Sequence, residues 1–108
     1  MKYAIWYMKP SHFSAGICGQ AMPSAQRLDD THIHLRDIEA DGLDAAFTAQ
    51  QGEVWSPNGE AFSLIDAKGL HHTSMSVGDV AIDDVGNVHV VMGRGWHCVG
   101  NRPRAIGS

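Results

Sequence analysis

The chain has 108 residues, 44% of them apolar, and a formal net charge of −4. That length fits one domain, residues 1–108, with one modest core, and the apolar share excludes an intrinsically disordered chain. The negative balance argues against non-specific binding to a nucleic-acid backbone, and no apolar run reaches the roughly 20 residues of a membrane helix.

Residues 2–8 are rich in aromatic and aliphatic types and are closed by Lys9-Pro10. Residues 3–8 are too short for the apolar region of a signal peptide, so the segment is predicted to be a first strand and the protein cytoplasmic, with no membrane association. Ile5, Trp6 and Tyr7 are all bulky, as in a strand covered on both faces. Residues 9–30 carry Pro10, Gly16, Gly19 and Pro23 among small polar residues and read as a long loop, with room for one short helical turn.

Residues 31–38 alternate, with Ile33 and Leu35 on one face and His32, His34 and Arg36 on the other, the pattern of a half-buried strand. Residues 43–51 place Leu43, Ala46, Phe47 and Gln50 at helical spacing, with Asp41 as the expected cap and Gly52 as the stop. The cluster Trp55-Ser56-Pro57-Asn58-Gly59 is a turn. Residues 60–68 have a second helical rhythm, with Ser56 or Asn58 placed to cap and Gly69 to terminate. Residues 80–82 and 88–92 flank Asp83-Asp84-Val85-Gly86-Asn87, a hairpin with a loop of about five residues. One more short strand is expected over 96–99, and residues 100–108 read as a flexible tail. The elements do not alternate strictly, so the expected class is α+β: a small mixed or antiparallel sheet, two short helices and a C-terminal β-hairpin.

Seven histidines invite a metal reading. His32 and His34 would project from one strand face about 6–7 Å apart, and His71, His72 or Cys98 could complete a zinc-like set. No Cys-x2-Cys or His-Glu-x-x-His spacing accompanies them, so no cofactor is expected, with zinc as the alternative. No Gly-x-Ser-x-Gly elbow is present. Ser74 and Ser76 near His71 and His72 make no triad by proximity alone, and no catalytic residue is assigned. Cys18 and Cys98, far apart in sequence, read as reduced thiols.

Charge is uneven. Asp29, Asp30, Asp37, Glu39, Asp41 and Asp44 crowd one stretch, while Arg94, Arg102 and Arg104 follow the last acid, Asp84. Asp37, Asp41 and Asp44 are candidates for meeting a basic partner, and the three arginines for meeting nucleic acid. Of the tryptophans Trp6, Trp55 and Trp96, each a candidate anchor, Trp55 in its turn-rich setting is the best placed for a partner surface.

The most distinctive run is Thr73-Ser74-Met75-Ser76-Val77-Gly78-Asp79-Val80. Gly78-Asp79 permits a tight turn feeding a strand, and the serine hydroxyls can satisfy nearby backbone groups. Ser74, Ser76, Val77, Gly78, Asp79 and Val80 are therefore expected to build the lead into the hairpin. This run, with residues 88–92 and Gly95-Trp96, resembles the YodL-like domain of small proteins from bacterial plasmids, phages and integrative conjugative elements. The chain departs from it in the His71-His72 pair and in Trp96. The resemblance implies a mobile-element accessory protein and carries no activity onto named residues. The resulting expectation is a non-enzymatic interaction protein with a protein partner, as monomer or homodimer. The alternatives are a histidine-based metal protein or metalloenzyme and a small-barrel nucleic-acid binder.

Overall fold

A computed structural model describes residues 1–10, 24–93 and 95–101. Most of the expected long loop, His12, Cys18, Arg94, Arg102, Arg104 and residues 102–108 lie outside the described residues. The elements run β1 (Lys2–Met8), α1 (Leu28–Thr31), β2 (His32–Glu39), α2 (Leu43–Ala49), α3 (Gly52–Trp55), α4 (Phe62–Ala67), β3 (Val80–Ile82), β4 (Asn87–Met92) and β5 (Gly95–Asn101). The five strands form one sheet in the order β2-β1-β3-β4-β5, every neighbouring pair antiparallel. The α+β class and the C-terminal hairpin are as the sequence suggests.

Both faces of the sheet are covered. Tyr3, Ile5, Tyr7, Ala81 and Val91 face a core completed by Ala46 of α2, Ile65 of α4, Leu70 and Met75. Ala4, Val80, Ile82, Val88 and Val90 face a second core closed by Ala25 and Leu28. β1 therefore has the two-sided burial that its three adjacent bulky residues imply.

Strand β2 departs from strict alternation. Its register against β1 shifts between Ile5 and Trp6, so that Ile5 opposes Arg36 while Trp6 opposes His34, with Leu35 left over. This is a β-bulge. Directly opposed residues project to the same side of a sheet, so Arg36 joins Ile5 on the helix-covered face while His32 and His34 stay on the other. The expected His32–His34–Arg36 face is thus split. The histidine side is not simply solvent either: His32 is 2% exposed because the second core lies there.

Helix boundaries correct two further expectations. Asp41 does not cap α2; Gly42 occupies that position and no side chain bonds there. Gly52 opens the short helix α3 instead of only ending α2, and its N–H donates to Ser74 Oγ at 2.7 Å. The other stop is as expected. Gly69 has φ +71°, its N–H donates to Asp66 O, and the Leu70 N–H donates to Ile65 O at 2.9 Å. That is a Schellman close, which only a residue tolerant of positive φ makes cheaply. Neither Ser56 nor Asn58 caps α4: Ala61 holds that position with no side-chain cap bond, and Ser56 Oγ accepts from the N–H of Ala61 itself.

The hairpin turn is organised by Asp83. Its Oδ1 accepts from the Val85 and Asn87 N–H groups, and its Oδ2 from Asn87 Nδ2 and His89 Nε2. Burial alone would raise this carboxyl; the bonds from His89, Asn87 and Val85 outweigh it and hold the group below its ordinary 3.8. A carboxylate lowered in the folded state stabilises the fold above its unfolded pKa and ceases to as pH falls through the folded value. Asp83→Ala is expected to lose about 2 kcal/mol at pH 7, with the gap to the parent protein narrowing at acid pH below the ordinary 3.8. Urea melts at both pH values check this; a gap that stays constant would contradict it.

Candidate functional site

Two sites are built around residues 72–80, one internal and one open. The internal one starts from a turn over residues 76–79. The Asp79 N–H donates to Ser76 O, and Gly78 takes φ +97° at the third turn position. A Cβ on Gly78 would come within 2.5 Å of Met8 Cε. The turn pairs onward with β4, Gly78 N–H to Val91 O and Val91 N–H to Asp79 O, both 2.9 Å.

This turn drives the Asp79 side chain inward, where it is 0% exposed. Its Oδ1 accepts from the Met8 N–H at 2.8 Å; its Oδ2 accepts from the Ser76 N–H at 2.8 Å and from His72 Nε2 at 2.7 Å. One carboxylate thus ties the end of β1, its own turn and the segment leading into it. The His72 ring stacks on Tyr7, with ring centres 4.5 Å apart and planes 12° from parallel. His32 Nε2 donates to Gly78 O at 2.7 Å, while its Nδ1 meets Thr31 Oγ1.

Beside this lies a closed ring of polar contacts. Arg36 Nε donates to Gln50 Oε1 at 2.7 Å, and Gln50 Nε2 donates to the Tyr7 hydroxyl at 3.2 Å. The Tyr7 hydroxyl donates to Thr73 O at 2.6 Å, and Trp55 Nε1 donates to the same carbonyl at 3.0 Å. The Arg36 guanidinium carbon sits 4.3 Å from the Trp55 ring centre and closes the circuit. Burial pushes the Tyr7 phenol well above its usual range, which keeps it a proton donor, and lowers Arg36.

The His72–Asp79 pair looks like half of a catalytic dyad, but its geometry is structural. His72 Nε2 is held by Asp79, and Nδ1 is shut away from solvent, so neither nitrogen is open to a substrate. Ser74 Oγ accepts from Gly52, and Ser76 Oγ donates to Ser74 O.

The open site is a cleft of about 510 Å³ between α2 and the β4–β5 turn. Phe47 and Trp96, edge to face at 6.5 Å, form its aromatic wall. Val77, Val91 and Met92 add apolar surface, Gly93 and Gly95 also line it, and Asp44 and Ser76 are its polar described residues. Phe47, Val77, Met92 and Trp96 are each partly exposed. A cleft of this volume lies within the range of ligand-binding sites, about 300–1,000 Å³.

The sequence-named candidates separate accordingly. Trp55, expected as an exposed anchor, is partly buried, and its N–H and one ring face are used within the chain. Trp96 is likewise partly buried against the first core, and it lines the cleft. Of the acidic trio, only Asp44 reaches the cleft. Asp41 borders a separate hollow with Met1 and Glu39, and Asp37 pairs with His34 Nε2 at 2.8 Å on the far face of the sheet. His32, His34 and His72 are engaged as described, while His71 is exposed. Among the described residues no group of three or more His, Cys, Asp or Glu side chains is arranged to hold a metal ion. Cys98 is an exposed free thiol.

Phe47 packs against the first core and Met92 against the second, and both also line the cleft, which spacing alone does not show. Among the described residues no helix is long and apolar enough to cross a membrane. No family model matches the chain, and neither a curated protein nor a solved structure matches it.

Proposed function

We propose that the chain is a non-enzymatic interaction protein that holds a protein partner in the cleft between α2 and the β4–β5 turn. The setting that residues 73–80 imply through their YodL-like resemblance is a bacterial mobile genetic element. The observation that carries the reading is the cleft itself. Partly exposed aromatic and aliphatic side chains line a hollow of about 510 Å³, and Trp-bearing hollows of this kind are where binding energy concentrates. The neighbouring polar residues support it from the other side: Tyr7, His72 and Asp79 are turned inward to hold the wall of the cleft at Ser76 and Val77.

The test compares partner capture by the parent protein, by two cleft variants, Val77→Glu and Asp44→Lys, and by a remote variant, Phe62→Ser, at a side chain that is 71% exposed. Capture by the parent and by Phe62→Ser, with roughly tenfold loss in Val77→Glu, is the expected result once melts show all four folded. Equal capture by every variant would place the contact elsewhere.

A further inference from the structure

We propose that Arg36 is a binding site for a carboxylate, carried by an acidic side chain of a partner or by a free acid. The site lies outside the cleft and does not depend on the reading of the cleft. Arg36 is half-buried, and no acidic side chain of the protein neutralises it. All 12 Asp and Glu residues lie among the described residues, and none forms an ion pair with Arg36. Asp37, next in sequence, is paired with His34 on the other face of the sheet. Burial lowers the pKa of Arg36, and no carboxylate offsets it. A cation taken partly out of water without a counterion is held there at a cost.

The polar circuit holds the guanidinium in one pose. Its Nε donates to Gln50 Oε1 at 2.7 Å, and Gln50 is 0% exposed and anchored in turn through Tyr7. One of its faces lies on the Trp55 ring, 4.3 Å from the ring centre. The two Nη groups donate to no described residue, and neither is shut away from solvent. They form the end-on fork that matches the two oxygens of a carboxylate. Because the side chain is already fixed at Nε and over Trp55, little rotamer freedom is lost on binding. The charge count favours a carboxylate over a phosphate. One guanidinium neutralises one negative charge, and no second Lys or Arg takes part in the circuit. A phosphate dianion would leave surplus negative charge on a chain whose net charge is −4.

The experiment titrates the full chain with acetate and with three capped tripeptides, Ser-X-Ser with X as glutamate, glutamine or phosphoserine. It follows the Arg36 Nε–H resonance and the indole N–H resonances of Trp55 and Trp96. The glutamate probe is expected to shift Arg36 and Trp55 saturably and to leave Trp96 unmoved, and the glutamine probe should not saturate. Arg36→Lys keeps the charge and loses the fork, so glutamate affinity should fall about fivefold. Acetate that shifts the same two resonances identifies a free acid as sufficient. Acetate that leaves them unmoved while the glutamate probe binds assigns the site to an acidic segment of a partner; both results uphold the carboxylate. Glutamine binding as tightly as glutamate on the parent protein, which needs no variant to fold, would overturn the proposal. So would glutamate binding that is unchanged in a folded Arg36→Lys, or a glutamate response that never saturates. Phosphoserine binding about tenfold tighter than glutamate would replace the carboxylate with a phosphate and overturn it as stated.

Discussion

Asp79→Ala is expected to lower the unfolding free energy by about 3–5 kcal/mol, because three buried donors lose their acceptor together. The carboxylate has no solvent exposure and accepts from Met8, Ser76 and His72. Its loss strands two backbone N–H groups and an imidazole N–H in the interior, each carrying a desolvation cost of about 1–3 kcal/mol if nothing replaces the acceptor. A total of about 5–15 kcal/mol is usual for a domain of this size, so the variant should melt far below the parent. Asp79→Asn separates charge from shape. Its amide oxygen can still accept from Met8, but its NH₂ then faces the Ser76 N–H, donor against donor, so it should lose about 2 kcal/mol. Denaturant melts read both, and a change below about 1 kcal/mol in Asp79→Ala would contradict the reading.

Tyr7→Ala should cost about as much, roughly 3–5 kcal/mol, by a different route. Tyr7 is fully buried, stacks on His72 and lies in the first core. Truncation opens a cavity and also removes the hydroxyl that links Gln50 to Thr73. Tyr7→Phe keeps the ring and removes only the hydroxyl. Thr73 O retains the Trp55 N–H as a partner, which limits the Phe loss to about 1–2 kcal/mol. A Phe variant as damaged as the Ala variant would mean that the polar circuit, not packing, dominates at this position.

Much of the frame was legible because local rules decide it. The bulky triplet Ile5-Trp6-Tyr7 marks a strand covered on both faces, Gly86-Asn87 marks a hairpin, and Gly69 marks a helix stop with positive φ. The misses share one physical cause, which is partners distant in sequence. The bulge at Leu35 depends on the register with β1, so the period-two reading put Arg36 on the histidine face. Turn chemistry explains an aspartate after Gly78 without asking where its carboxylate points. That it points inward depends on Met8, 71 positions away. Trp55 stood in a turn cluster and read as exposed, yet its indole reaches Thr73 O. The cleft was half legible: Trp96 and Asp44 were both candidates, but α2 places Phe47 against Trp96, and no spacing in the sequence foretells that pairing.

Everything proposed for the open cleft relies on residues 72–80 being a rigid support and not a mobile or reactive loop. Amide hydrogen exchange at Ser76 tests this directly, since Ser76 precedes β3 and lies in no strand or helix, and its N–H is donated to the buried Asp79 carboxylate. The account predicts that the Ser76 amide is protected to nearly the same degree as Ile5 and Ala81 in the central strands, opening only with the whole fold. Exchange at Ser76 as fast as at the exposed amides around Asn58, with β1 and β3 still protected, would contradict it.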